Sequence, residues 1–167
     1  MPENKQIKIK PIMAVLCDDV RQEASGKQTV IGMYVGGITV EIPESERDGV
    51  RPHGIVVNLW MPFQIPEAGL ATIEVKVIGP DPSIELSFSA EMLFEEAPPD
   101  HEQSSVTFQK LPIKVDKEGD LKILFKNAGD SEWQTLKNIP VKINSPKQAT
   151  IPAAKIVSCK SVDNEGK

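Results

Sequence analysis

The residues with the most chemical potential stand together near the start of the chain. In "MAVLCDDVRQEASGKQTVIGMYVGG", Met13 to Gly37, a thiol, two carboxylates and a guanidinium occupy Cys17, Asp18, Asp19 and Arg21. A cysteine nucleophile needs a base to draw off its proton. The only histidines are His53 and His101, each in a loop-like context with no local signature tying it to Cys17. A calcium site would need Asp18 and Asp19 to be joined by carboxylates such as Asp48, Asp81, Asp116 or Asp130. No spacing among them resembles a dedicated oxygen-ligand loop. The remaining role for the cluster is structural, with polar groups pinning the first strand to its neighbour.

Period-two alternation carries that role further. Through "PIMAVLCDDVRQE" it puts Ile12, Ala14, Leu16, Asp18 and Val20 on one face and Met13, Val15, Cys17, Asp19 and Arg21 on the other. If Leu16 and Val20 face the core, Asp18 is carried inward and must find donors, because a carboxylate taken out of water is costly unless hydrogen-bonded. Asp19 and Arg21 stand two apart on the other face and are expected to form a modest ion pair. Cys17 is expected to be an ordinary thiol. Gly32, inside the next apolar run, marks a bulge or a close backbone approach.

The same period runs through the rest of the chain. "SIELSFSAEMLFEE" alternates Ile84, Leu86, Phe88, Ala90, Met92 and Phe94 with a mostly polar set. "ATIEVKVIGP" sets Ile73, Val75 and Val77 against Glu74 and Lys76, then stops at Gly79-Pro80-Asp81-Pro82, so the two segments read as a hairpin. Leu121, Ile123 and Phe125 oppose Lys122 and Lys126 in another strand, and a further one runs from about Trp133 to Ile143, interrupted near Pro140. "QTVIGMYVGGITVEI" reads as one strand apolar on both faces. Val30, Tyr34, Ile38, Val40 and Ile42 lie on one side, and Ile31, Met33 and Val35 on the other. That second set requires a cover. The 14 prolines and 11 glycines leave little room for a long helix. The expectation is an all-β chain: a single antiparallel β-sandwich, immunoglobulin-like or jelly-roll-like, of about eight or nine strands. It spans residues 1–144, and a C-terminal arm of altered composition covers 145–167 and contains the apolar pair Ile156-Val157.

Composition removes several function classes. A net charge of -5, with no Lys or Arg between Lys76 and Lys110 and with Glu85, Glu91, Glu95, Glu96, Asp100 and Glu102 in that interval, argues against nucleic acid and against anionic lipid. No apolar run approaches membrane-spanning length. The start of the chain has no signal-peptide pattern and two cysteines make no disulfide framework, which predicts a cytoplasmic setting. There is no phosphate-binding glycine loop, no nucleophile elbow and no metal-spaced Cys or His pair, so no cofactor, metal or catalytic set is expected.

"CDDVRQEASGKQTVIGMY" resembles the opening of an uncharacterised bacterial and bacteriophage domain family. Its members begin with a strand ending in Cys-Asp-Asp-Val-Arg, then a Gly-Lys turn and a strand reading Ile-Gly-Met/Ile-Tyr. Here those positions are Cys17 to Arg21 (Cys17, Asp18, Asp19, Val20, Arg21), Gly26-Lys27 and Ile31 to Tyr34. The resemblance implies a compact β-rich domain with a phage- or prophage-linked occurrence, and it carries no activity. The functional expectation is a non-enzymatic protein-binding or assembly module that self-associates or engages a protein partner. Its candidate contact residues are Ile31, Met33, Val35, Ile156 and Val157. The alternative is a small ligand-sequestering protein or hydrolase with a pocket around Cys17, Asp18, Asp19, Arg21 and His53.

Overall fold

In the computed structural model, residues 5–25, 27–42, 53–95 and 103–144 are described. They form an all-β protein of twelve strands, in mixed sheets that curl as a half-barrel. Among the described residues no helix is long and apolar enough to cross a membrane.

The alternating segments become the long strands. β8 (Gly69–Ile78) buries every second residue and pairs antiparallel with β9 (Glu85–Phe94) through the Gly79–Ile84 turn, as the hairpin reading predicts. On the other side of β8 run β11 (Gly119–Asn127), then β12 (Gln134–Asn144), both antiparallel. Two short strands lie parallel to their neighbours: β1 (Gln6–Ile7) pairs with the start of β8 on the edge that β11 takes farther along, and β6 (Ile38–Glu41) lies beyond β12, so that β9 and β6 are the outer strands of this sheet. The second sheet is built on β7 (His53–Gln64), with β10 (Gln103–Val115) on one edge and β2 (Lys10–Pro11) and β3 (Val15–Cys17) on the other. β4 (Asp19–Gln22) and β5 (Gln28–Ile31) form a separate hairpin. One core joins the two larger sheets, including Leu16, Leu59 and Phe63 from the second and Ile73, Val75 and Ile123 from the first.

Four expectations about these elements are corrected. The sheets are mixed rather than purely antiparallel. A parallel pair needs a long crossover, and here the crossovers from β1 to β8 and from β6 to β12 are most of the fold itself. Residues 28–42 are two strands rather than one. β5 stops at Gly32, where φ is +67°, and the chain changes sheets through Gly37, where φ is +133° and an added Cβ would lie 2.7 Å from the Pro140 carbonyl oxygen. β12 continues through Pro140, which is exposed and sits opposite Asp120. Among the described residues the strand count is twelve rather than about eight or nine, because the short elements are too brief for alternation to reveal.

Candidate functional site

β3 ends at Cys17 and β4 begins at Asp19, so Asp18 is the bend between them. That break cancels the alternation. Leu16 pairs with Leu59 and faces the core, while Cys17 pairs with Asn58 on the opposite side of the β7 sheet. Both are fully buried. Cys17 is therefore sealed rather than presented to solvent, and its thiol donates to the Asn58 carbonyl at 3.6 Å. Burial, and then the charges of Asp18 and Asp19, push its pKa up, so the thiolate is disfavoured.

Asp18 is exposed and not carried into the core, which corrects the inward placement. Its partners come from the segment that follows the Gly26-Lys27 turn. Tyr34 Oη donates to Asp18 Oδ1 at 2.6 Å, and the Asp18 backbone N–H donates to the Ile31 carbonyl at 3.0 Å. The Asp18 carboxylate rests on Gly32, where a Cβ would come within 2.0 Å of Oδ2. Gly32 is thus required twice, by its left-handed φ and by the carboxylate against it. Accepting the phenol hydrogen favours the neutral form of Tyr34, and that hydrogen bond, with burial second, pushes its pKa up to about 12. Asp19 accepts from Arg21 Nε at 2.7 Å, the exposed ion pair that the two-residue spacing predicts. Val20 is half-buried opposite Val30 in the small hairpin.

Sequence reasoning missed Asn58. Its Nδ2 donates to the Asp18 carbonyl at 2.7 Å, and its Oδ1 accepts from the Lys110 backbone N–H at 2.9 Å. The register of β10 on β7 slips between Phe108 and Leu111, which leaves Gln109 and Lys110 together as a bulge opposite Asn58. Lys110 has φ +54°, a conformation that a non-glycine residue holds only when its surroundings fix it. One amide therefore ties the Asp18 bend to the β10 bulge. The available signal was a lone polar residue inside the apolar run "IVVNLWM". The small hairpin is held on the same outer face by Gln28, whose Oε1 accepts from Trp60 Nε1 at 2.8 Å and from Ser105 Oγ at 2.5 Å.

Between bend and bulge lies an open cleft of about 220 Å³ lined by Asp18, Asp19, Val56, Val57, Asn58, Gln109 and Lys110. Of the five residues grouped as a candidate pocket, it brings together Asp18 and Asp19. Cys17 does not line it, Arg21 is turned outward onto Asp19, and the His53 side chain lies outside the described residues. Among the described residues no three His, Cys, Asp or Glu side chains converge as metal ligands. Asp81 and Asp130 are committed elsewhere, Asp81 to Ser83 and Lys117 and Asp130 to Lys8 and Asn127. Asp48 is outside the described residues.

The candidate contact positions Ile31, Met33 and Val35 all emerge on the surface, at 37, 53 and 67 % exposure. The Tyr34 N–H donates to the Leu16 carbonyl at 2.9 Å, which lays this run along β3, close in sequence to the exposed Met13. Ile156 and Val157 lie outside the described residues. No family model matches the chain, and no curated protein matches it.

Proposed function

We propose that the chain is a non-enzymatic assembly module, a β-sandwich of residues 1–144 whose exposed strip at Ile31, Met33 and Val35 receives the apolar segment of its arm, Ile151 to Cys159. The observation that supports this reading is the strip itself. Three apolar side chains in alternate positions stand in solvent beside the polar contacts of the Asp18 bend, and exposed apolar surface of that kind marks an interaction site.

The tether length fits. β12 ends at Asn144, which pairs with Glu41 in β6, and Glu41 is six residues from Val35, about 20 Å along extended chain. Ile151 lies seven residue steps beyond Asn144, a span of up to about 23 Å. The arm can therefore reach the strip of its own chain or of a neighbour. Gel filtration coupled to light scattering, with thermal melts, on the full chain and on a chain ending at Asn144 tests the reading. Truncation is expected to lower the melting temperature or change the mass of the particle. Identical melting and a monomeric mass for both chains would overturn it.

The ligand-sequestering alternative has one observation in its favour, the cleft that sets Asp18 and Asp19 beside Lys110. A zwitterionic ligand held there would lose affinity on Lys110→Ala, read by calorimetry. Unchanged binding would end that reading.

A further inference from the structure

Sheet edges differ in how they are protected. β10 carries a bulge at Gln109–Lys110, Pro112 and Lys114, each of which discourages another strand from pairing. β9 has no such device. It runs ten residues in unbroken register on β8, with no proline, no lysine and no bulge, and among the described residues its other edge pairs with nothing. Its core-facing residues are also incompletely covered. Leu86, Phe88, Ala90, Met92 and Phe94 are only half-buried, whereas Ile73 and Val75, facing the same core from β8, are fully buried. The seam is apolar on both sides, since the Phe88 ring lies 5.3 Å from Phe108 of β10 and that of Phe94 lies 6.2 Å from Phe63 of β7.

We infer that β9 is a self-pairing edge: it adds in antiparallel register to β9 of a second copy about a twofold axis at Ser89, extending the sheet across a dimer. In such a pair, residues directly opposite must point to the same face, so their numbers sum to an even value. Centring on Ser89 sets Ser87 opposite Glu91 and Glu85 opposite Leu93 on the outer face, and Leu86 opposite Met92 and Phe88 opposite Ala90 on the inner one. No glutamate faces a glutamate, and the large Phe88 meets the small Ala90. Leu93, 51 % exposed, gains the aliphatic stem of Glu85 as a neighbour. Centring one residue later would put Glu85 against Glu95, a like-charge pair that destabilises. Among the registers that pair nine residues of β9 with a second copy, the one centred on Ser89 is thus free of directly opposed glutamates, and its matched lengths and side-chain sizes make a second copy of this strand the occupant. The edge is distinct from the strip at Ile31 to Val35 and stands without the arm contact.

A symmetric disulfide tests the register. In the Cys159→Ser chain, with Cys17 buried, Ser89→Cys places two thiols at the axis, where opposed Cα atoms are about 4.5–5.5 Å apart, inside the range a disulfide spans. Glu85→Cys is the control, because eight residues along the ladder would separate its thiols by about 27 Å. Under mild oxidation Ser89→Cys is expected to form covalent dimer on the order of tenfold faster than Glu85→Cys. In light scattering the unmodified chain is expected to be a dimer, Ser89→Lys a monomer because two ammonium groups meet at the axis, and Ser87→Lys a dimer because its ammonium meets Glu91. A monomeric parent chain, or equal crosslinking by Ser89→Cys and Glu85→Cys, would overturn the inference. A dimer that survives Ser89→Lys but is lost on truncation at Asn144 would also overturn it, while leaving the arm reading in place.

Discussion

The corner from Cys17 to Tyr34 and the hairpin of β8 and β9 are built on opposite principles. In the hairpin every second side chain faces the core and little but alternation is needed to place it. Ile73, Val75 and Val77 are 0–2 % exposed, and the polar residues between them pair across the outer face, as Lys76 does with Glu85 at 2.6 Å. In the corner alternation fails at Asp18, and named polar contacts take over: Tyr34 to Asp18, Asn58 to Asp18, Lys110 to Asn58. Burial therefore dominates stability in the first region. Fit around a few atoms dominates in the second, where even a replacement that changes one methyl or one hydroxyl is expected to cost stability.

The largest effect is expected in the hairpin. Ile73→Ala removes a fully buried side chain where β8, β9 and β11 meet, and should lower the unfolding free energy by about 2–5 kcal/mol in urea titration. Gly32→Ala adds a single methyl on the surface, yet should lose about 1–3 kcal/mol, since the new Cβ meets the Asp18 carboxylate at a left-handed φ. In an Asp18→Ala background the contact disappears and only the backbone strain remains, so the second substitution should cost visibly less. A cost for Gly32→Ala that Asp18→Ala does not change would show that the corner is held by backbone conformation alone.

The hairpin was legible in the sequence because its signal is local and repeated. Glu85 to Phe94 alternates for ten residues, and the Gly79-Pro80-Asp81-Pro82 cluster ends the preceding strand where the structure turns. In the corner the sequence identified the participants without the geometry. Asp18, Gly32 and the Asp19–Arg21 pair were all singled out, but Asp18 proved to be a bend residue rather than an inward one. A single break shifts the parity of everything after it, and periodicity cannot place the break. Asn58 was invisible for a different reason. Its two partners, Asp18 and Lys110, are 40 and 52 residues away, so no window of sequence contains the contact.

Tyr34 gives the corner a direct spectroscopic readout, because it is the only tyrosine in the chain. Its folded pKa of about 12 lies above the ordinary value near 10. The stabilisation is therefore complete below pH 10 and is lost as pH rises from 10 through 12, where the unfolded chain releases the phenol proton first. Phenolate absorbance should titrate near 12 in the folded protein and near 10 in urea. Asp18→Ala should move the folded midpoint down toward 10. Tyr34→Phe, which keeps the ring and removes only the hydroxyl, should cost about 0.5–1.5 kcal/mol at neutral pH. A phenolate midpoint that ignores Asp18→Ala would detach Tyr34 from the corner.

The smallest effect belongs to Asp19, and its contrast with Asp18 is the sharpest check on what distinguishes the two regions. Both are exposed or half-exposed aspartates, adjacent in sequence and each with one side-chain partner. The partner of Asp18 is a half-buried phenol anchored by its own backbone to Leu16, so the contact ties the bend after β3 to the segment that follows β5. Asp19 meets Arg21 on the same strand, with side chains 47 % and 69 % exposed, so the contact joins nothing that the backbone does not already join. Water and salt screen it, and holding the long Arg21 side chain in place costs entropy. Asp19→Ala should change stability by less than about 0.5 kcal/mol, and a double-mutant cycle with Arg21→Ala should give a coupling of about 0.2–0.5 kcal/mol that fades in molar salt. An Asp19→Ala loss as large as that of Asp18→Ala would mean that polar contacts in this corner stabilise by charge, whichever strands they connect, rather than by closing the bend onto β5.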